Sequence, residues 1–286
     1  MILSSIIKKY TEILQTNNDI DSPDLDCKLL VANILGIEYK NLYLHINEEF
    51  NKEELLSNLV QKRLDNKPIS KIINRKSFWD YDFYVNENVL DPRPDTENLI
   101  ELVLEMYNTN ENLHILDIGT GSGCLILTLL KLFKNATGVA VDISEKALEV
   151  AKINAKNLEV ENVHFVISNW NDNITEKFDI IVSNPPYIET EEIEKLDKDV
   201  KNFDPLLALD GGVDGLKCYE YIAQNIIKNC KNDTKIFLEV GHSQAQSVID
   251  IFEKNNFSLY KIKKDLNGYD RIVCFNVGEK NNANNG

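Results

Sequence analysis

The chain is poor in the residues that bind metals or staple small secreted folds. Its five cysteines, Cys27, Cys124, Cys218, Cys230 and Cys274, are scattered, with no C-x-x-C pair. Its four histidines, His45, His114, His164 and His242, are dispersed as well. No Cys/His cluster has metal-ligand spacing, so no metal is expected. The thiols read as small buried residues in a reducing compartment. Long apolar runs are also missing. Met1 to Ile7 is too short to be a signal peptide or membrane span and is interrupted by Lys8-Lys9, which predicts a cytoplasmic protein without a membrane partner. Positive charge is scarce: 31 Lys and Arg stand against 46 Asp and Glu, for a net charge of −15. Nucleic-acid binding rests on clustered cations that neutralise phosphates, so no direct nucleic-acid partner is expected. An acidic surface keeps a chain soluble and speeds encounter with a basic protein partner. There are no internal repeats.

What is present divides the 286 residues into a small and a medium domain. Residues 1–75 read as helical. Ile2, Ile6, Ile7, Tyr10 and Leu14 recur at helical spacing. Ser22-Pro23 reads as an N-cap followed by a first-turn proline, and the helix it opens stops at Gly36. Tyr39 to His45 and Glu53 to Leu64 are further helical candidates. Residues 76–95 change character: Phe78, Trp79, Tyr81, Phe83, Tyr84 and Val85 suggest a β-hairpin linker, which Pro92 and Pro94 break. From 96 to 276 strands alternate with helices, the pattern of a parallel sheet covered on both faces. Residues 188–216 read as an irregular, acidic stretch packed over the site. The polar tail, 277–286, is expected to be disordered.

The chemistry concentrates in two motifs. A strand ending in Asp117 is followed by Gly119-Thr120-Gly121-Ser122-Gly123 and then a helix, a tight turn that lets backbone approach a ligand closely. Asp142 ends the next strand, where an acid can accept the ribose hydroxyls of an adenosine-containing cofactor. These features suit a nicotinamide enzyme or an S-adenosylmethionine enzyme. Asn184-Pro185-Pro186-Tyr187, after the apolar strand Phe178–Val182, separates them. The nitrogen of an amide or aromatic amine has a delocalised lone pair. The Asn184 side-chain oxygen and the Pro185 carbonyl can accept hydrogen bonds from its NH2 group and aim that lone pair at a methyl donor. Proline keeps these acceptors fixed, and Tyr187 offers a flat face for stacking. Trp170, just after another strand, can pack on adenine. Arg93 and Thr96 are polar groups in the turn before this domain; they read either as a surface cation and a helix cap or as groups with a role at the site. A nucleic-acid methyltransferase acting on adenine N6 or guanine N2 remains the alternative, but it would want a basic groove.

With these motifs in hand, the chain resembles the HemK/PrmC family of protein methyltransferases along nearly its whole length. The resemblance rests on Ser22-Pro23-Asp24-Leu25-Asp26, on Pro92-Arg93-Pro94-Asp95-Thr96-Glu97, on the glycine turn, on Ala140-Val141-Asp142-Ile143-Ser144, on Asn184 to Ile188, and on Asp210-Gly211-Gly212 with Asp214-Gly215-Leu216. It implies an α/β fold: a Rossmann-like, seven-stranded class I methyltransferase domain (96–276) preceded by a helical, substrate-docking domain (1–75) and a hairpin linker (76–95). It implies transfer of a methyl group from S-adenosyl-L-methionine to the glutamine amide nitrogen of the Gly-Gly-Gln motif in class-I peptide chain release factors, a step tied to translation termination. Separately from the resemblance, a monomer is expected. By the same resemblance Gly119, Thr120, Gly121, Ser122, Gly123, Asp142, Trp170 and Asn184 contact the cofactor. Asn184, Pro185, Pro186 and Tyr187 hold the glutamine, with Phe83 lining the same pocket, and Asn184, Pro185 and Tyr187 carry catalysis. Three positions depart from the family pattern: Asp91 replaces an apolar residue, Asp95 stands for Glu, and Asn169 stands where Asp usually precedes Trp170.

Overall fold

The computed structural model describes residues 1–278 and groups them into two compact units. The first is helical: α1 (Leu3–Leu14), α2 (Pro23–Leu35), a 3-10 segment at Tyr39–His45, α3 (Glu53–Leu64) and α4 (Ile69–Ile73). Leu3, Ile6, Ile7, Tyr10 and Leu14 form one buried stripe of α1, as their spacing dictates. Pro23 opens α2, but the Ser22 side chain makes no cap; the Ser22 carbonyl instead accepts the Asp26 N–H at 2.9 Å. Gly36, at φ +70°, closes α2 in the left-handed conformation that glycine tolerates. Arg63 of α3 reaches Asp26 of α2 at 2.7 Å, both nearly buried. Such a pair fixes which helices meet more than it adds stability. Residues 196–203, which sequence alone places in the catalytic domain, belong to this helical unit, where Lys198 pairs with Asp19 at 2.7 Å.

The second unit starts with the hairpin β1 (Lys76–Phe78) and β2 (Tyr81–Phe83), turned at Trp79, which has φ +55°. Alternation along β2 points Asp82 outward and Phe83 inward. Phe83 is fully buried and meets Phe78 edge-to-face at 6.0 Å in the core. It is not a pocket residue, contrary to expectation, because the hairpin register gives it to the hydrophobic core.

After α5 (Glu97–Met106) come β3 (His114–Ile118), α6 (Cys124–Leu132), β4 (Thr137–Asp142), α7 (Glu145–Asn157), β5 (Val163–Ile167) and β6 (Phe178–Ser183). Short helical turns and α8 (Lys198–Phe203, in the first unit) fill the stretch read as irregular. Then follow α9 (Lys217–Asn225), β7 (Cys230–Glu239), α10 (Ala245–Lys254), β8 (Phe257–Lys264) and β9 (Asp270–Val277). The seven strands lie in the order β5-β4-β3-β6-β7-β9-β8. All neighbours are parallel until β9, which runs antiparallel to both β7 and β8. Consecutive residues serve opposite cores: Ile115, Ile180 and Phe237 face one side with α5 and α6, while Leu116, Ile181 and Leu238 face α9 and α10 on the other. Of the tail expected to be disordered, Val277 pairs with Phe257 at the end of β9; residues 279–286 lie outside the described residues.

Candidate active site

The sheet reverses its order of growth between β3 and β6, the place where open α/β sheets leave a crevice at their carboxyl ends. Ile118 and Ser183 are register partners, and the Ser183 hydroxyl donates to the Ile118 carbonyl at 2.7 Å. Gly119 and Asn184 therefore leave the sheet side by side. Above them lies a cavity of about 490 Å³ lined by Gly119, Thr120, Gly121, Ser122, Asp142, Asn169, Trp170, Asn184 and Pro186, among others. Gly123, Pro185 and Tyr187 are not among its lining residues. Pro205, Leu207, Ala208 and Asp210, from the stretch expected over the site, are.

One half of the cavity is made of backbone. The Gly119 and Thr120 N–H groups both donate to the Val141 carbonyl at 2.9 Å. Gly119 (φ +73°) and Gly121 (φ +54°) adopt left-handed conformations and would meet nothing within 4 Å if they carried a Cβ, so the space beside them is open. Gly123 serves packing instead. A Cβ there would lie 3.0 Å from Leu127 Cδ1 and 3.3 Å from Ala151, so its absence lets α6 pack closely. Asp142 accepts N–H bonds from Gly121 and Ser144, each at 2.9 Å. Each carboxylate oxygen keeps a further lone pair for hydroxyl donors. Burial pushes this carboxyl upward in pKa, and the backbone N–H bonds oppose that. Beneath the turn, Thr120 donates to Asp117 at 2.6 Å, and burial pushes the Asp117 carboxyl up to about 7. Buried Asn154 of α7 donates to the Ser122 carbonyl at 2.8 Å and the Tyr84 carbonyl at 2.9 Å, and accepts the Tyr84 N–H at 2.6 Å. Trp170, held at φ +51°, presents its ring to the cavity with Tyr221 6.2 Å away. Asn169 donates its amide N–H to Asp172 at 3.1 Å, which leaves its oxygen as an acceptor.

The other half is made of side chains from distant segments. Asn184 donates from Nδ2 to the Thr96 hydroxyl at 3.2 Å, and Thr96 donates to Glu239 Oε2 at 2.6 Å. Thr96 does not cap α5, as its position suggested; no side-chain cap bond forms there. Glu239 ends β7, is 1% exposed, and burial pushes its carboxyl up to about 7. Sequence reasoning missed Glu239. The available signal was an acid inside the apolar run Phe237-Leu238-Glu239-Val240. Tyr187 packs against the core beside α9 and α10, and burial pushes its hydroxyl up to about 12. Its carbonyl accepts from Gln244 at 2.8 Å. Gly211 is needed beside it, because a Cβ there would lie 2.8 Å from the Tyr187 Cα. Gly211 and Gly215 thus have a physical reason: they make room for the backbone of Tyr187.

The donor set fits S-adenosylmethionine. There is an open lone pair on each Asp142 oxygen for a ribose, an aromatic face at Trp170, an acceptor at Asn169 for an adenine amino group, and glycine-lined space for the remainder. Among the described residues no cluster of His, Cys, Asp or Glu could hold a metal, and no helix is long and apolar enough to cross a membrane.

Residues 109–281 match the family model of a methyltransferase domain, which fixes the class of the chain. Residues 5–73 match the model described as the PrmC N-terminal domain. The chain is 34% identical to the release factor glutamine methyltransferase of Caulobacter vibrioides, over 97% of both chains. It thus belongs to the release factor glutamine methyltransferase family. It is also 35% identical to a bifunctional methyltransferase of Rickettsia conorii, over 96% of this chain but 57% of that one, so it spans about half the length of that relative. A solved methyltransferase from Pyrococcus furiosus shares the fold, with a TM-score of 0.55 and 20% identity over 78% of this chain and all of the other.

Proposed function

We propose that the protein transfers a methyl group from S-adenosyl-L-methionine to the side-chain nitrogen of the glutamine in the Gly-Gly-Gln motif of class-I peptide chain release factors. The observation that carries this reading is the orientation of Asn184. Its Nδ2 is occupied by Thr96, so Oδ1 is left to accept from a substrate NH2 group at the cavity wall. When bound, the cofactor supplies a methyl group already activated on a sulfonium. The protein's part is to desolvate and orient a weak nucleophile. Asn184 Oδ1, at the cavity wall, takes an N–H bond of the amide, which directs its lone pair. Pro185 and Pro186 hold this acceptor with little reorganisation. The amide proton becomes acidic only as the nitrogen gains its fourth bond, and it then leaves to solvent without a strong base.

The helical unit supports a docking role. It carries the match to the PrmC N-terminal domain, and it exposes Tyr43 and Leu44, 68% and 61% accessible, as apolar contact points. The net charge of −15 favours a protein partner over nucleic acid. The test is labelled-methyl transfer to intact release factor, to a Gly-Gly-Gln peptide, and to rRNA, tRNA and DNA, with mass spectrometry of the modified residue. Methylglutamine is expected, with a lower KM for the whole factor than for the peptide. Methylated adenine or guanine would overturn the proposal.

A further inference from the structure

We propose that Glu239, acting through the Thr96 hydroxyl, is a positioning residue that holds the Asn184 amide with its oxygen towards the acceptor nitrogen. The three groups come from the segment before α5, the end of β6 and the end of β7, and they form one chain of hydrogen bonds. Its direction is set by proton counting. An ionised carboxylate only accepts, so the single Thr96 proton must go to Glu239. The Thr96 oxygen then has only lone pairs to offer, and the group facing it must be the Asn184 NH2. Oδ1 is left for the substrate. The amide orientation is thus chosen by its network rather than by its shape.

A neutral Glu239 reverses this logic. Its own proton can bond the Thr96 oxygen, which frees the Thr96 proton for Asn184 Oδ1. The amide then turns, and its NH2 faces a substrate NH2, donor against donor. The cavity is built so that this choice falls near neutrality. Burial is the main influence on the Glu239 carboxyl, with Thr96 opposing it. Arg271 on β9 and Arg93 before α5 favour the charged form, while Asp95 disfavours it. Tyr187 after β6 and Tyr219 of α9 also face the group, and the Tyr219 hydroxyl donates to the Glu239 backbone carbonyl at 2.8 Å. Cys124 at the start of α6 completes the surroundings.

The consequence for rate rests on the glutamine-methylation reading; the amide orientation does not, and the experiment separates the two. Full-length protein labelled with 15N-asparagine gives a side-chain NH2 pair for Asn184, assigned by its absence in Asn184→Asp. In the wild type this pair is expected to shift along one titration near pH 7, and in Glu239→Gln to stay constant from pH 6 to about 8.5. In parallel, single-turnover transfer at saturating cofactor should fall about tenfold from pH 8 to 6 in the wild type, as expected for one group titrating near 7. Glu239→Gln should be flat over that range and at least about tenfold slower at pH 8, the loss of one charge-assisted bond. Thr96→Ser should restore most of the rate that Thr96→Val loses, with cofactor affinity similar in both. An Asn184 NH2 signal indifferent to pH in the wild type, or an intact acid limb in Glu239→Gln, overturns the proposal. A titrating NH2 in a protein that leaves glutamine unmethylated upholds the positioning chain and removes the glutamine reading instead.

Discussion

The two halves of the cavity reach rigidity by opposite routes. The half proposed to hold the cofactor is a short piece of chain, Gly119 to Gly123, whose shape follows from glycine dihedrals and from N–H bonds to Val141 and Asp142. The acceptor half is three side chains, Thr96, Asn184 and Glu239, far apart in sequence and joined by two hydrogen bonds. The first is defined by backbone, so its chemistry tolerates side-chain change away from the glycines and the single acid. The second is defined by proton positions, so one substitution can reverse what it offers to a ligand. On the proposed reading, a reactive sulfonium needs a socket, whereas a reluctant amide nitrogen needs an aimed acceptor, and the two construction methods suit those needs.

Asn184→Ala should break the acceptor half outright. Transfer should fall by roughly 2.7–4 kcal/mol of transition-state stabilisation, on the scale of removing one oxyanion-hole donor. Cofactor affinity should fall far less. Single-turnover kinetics paired with calorimetry checks both, and equal losses in the two would erase the distinction between the halves.

Asp142→Ala should do the converse. It removes the proposed ribose acceptor, worth about 1.5–3 kcal/mol as a charge-assisted bond, so S-adenosylmethionine should bind at least about tenfold more weakly. It also leaves the Gly121 and Ser144 N–H groups without their acceptor. The rate from the bound state should change less than affinity does. A calorimetric dissociation constant equal to that of the wild type would remove Asp142 from the cofactor half.

The smallest expected effect is on stability. In the unfolded chain Glu239 loses its proton near 4.5, while in the fold it holds it to about 7. Rising pH through that window therefore costs stability: the contribution is full below about 4.5 and lost above about 7. Asp117, raised from 3.8 to about 7, adds to the same trend from the cofactor half. Melting temperatures should drop between pH 5 and 8 more in the wild type than in Glu239→Gln. A working site that needs Glu239 ionised thus gives up some stability. Parallel pH profiles for the two proteins would show that Glu239 does not hold its proton as described.

The glycine turn and the acid that bonds it were legible in the sequence because their parts are contiguous: a strand, three glycines in five residues, and an acid ending the next strand. The parallel sheet was legible from alternating apolar runs and helical spacing. β7 runs from Cys230, but Lys231 to Thr234 carry no apolar pattern, so the start of that strand was not legible. The other half showed only Asn184 plainly. Thr96 stood open between a cap and a site role, since a threonine before a helix has the first as a local use. Its actual partner, Glu239, is fixed by tertiary packing that no local pattern encodes. Phe83 was misplaced for a related reason. An aromatic beside a site motif is attractive as a wall, but the hairpin register sends it into the core.

One side chain in the cofactor half has a wider reach. The Asn154 amide bonds both the glycine turn, at Ser122, and the chain leaving the hairpin, at Tyr84. Its side chain is fully buried, so losing any of the three hydrogen bonds leaves a polar atom of Asn154 unpaired. The turn therefore has no low-energy way to open by itself; to move, it must displace α7 and the segment at Tyr84 together. A ligand arriving there meets a finished mould rather than a loop that closes over it. Its residence time is then governed by the contacts it makes, not by the opening of a gate, and hydrogen exchange at the Tyr84 amide should be as slow as unfolding of the sheet itself.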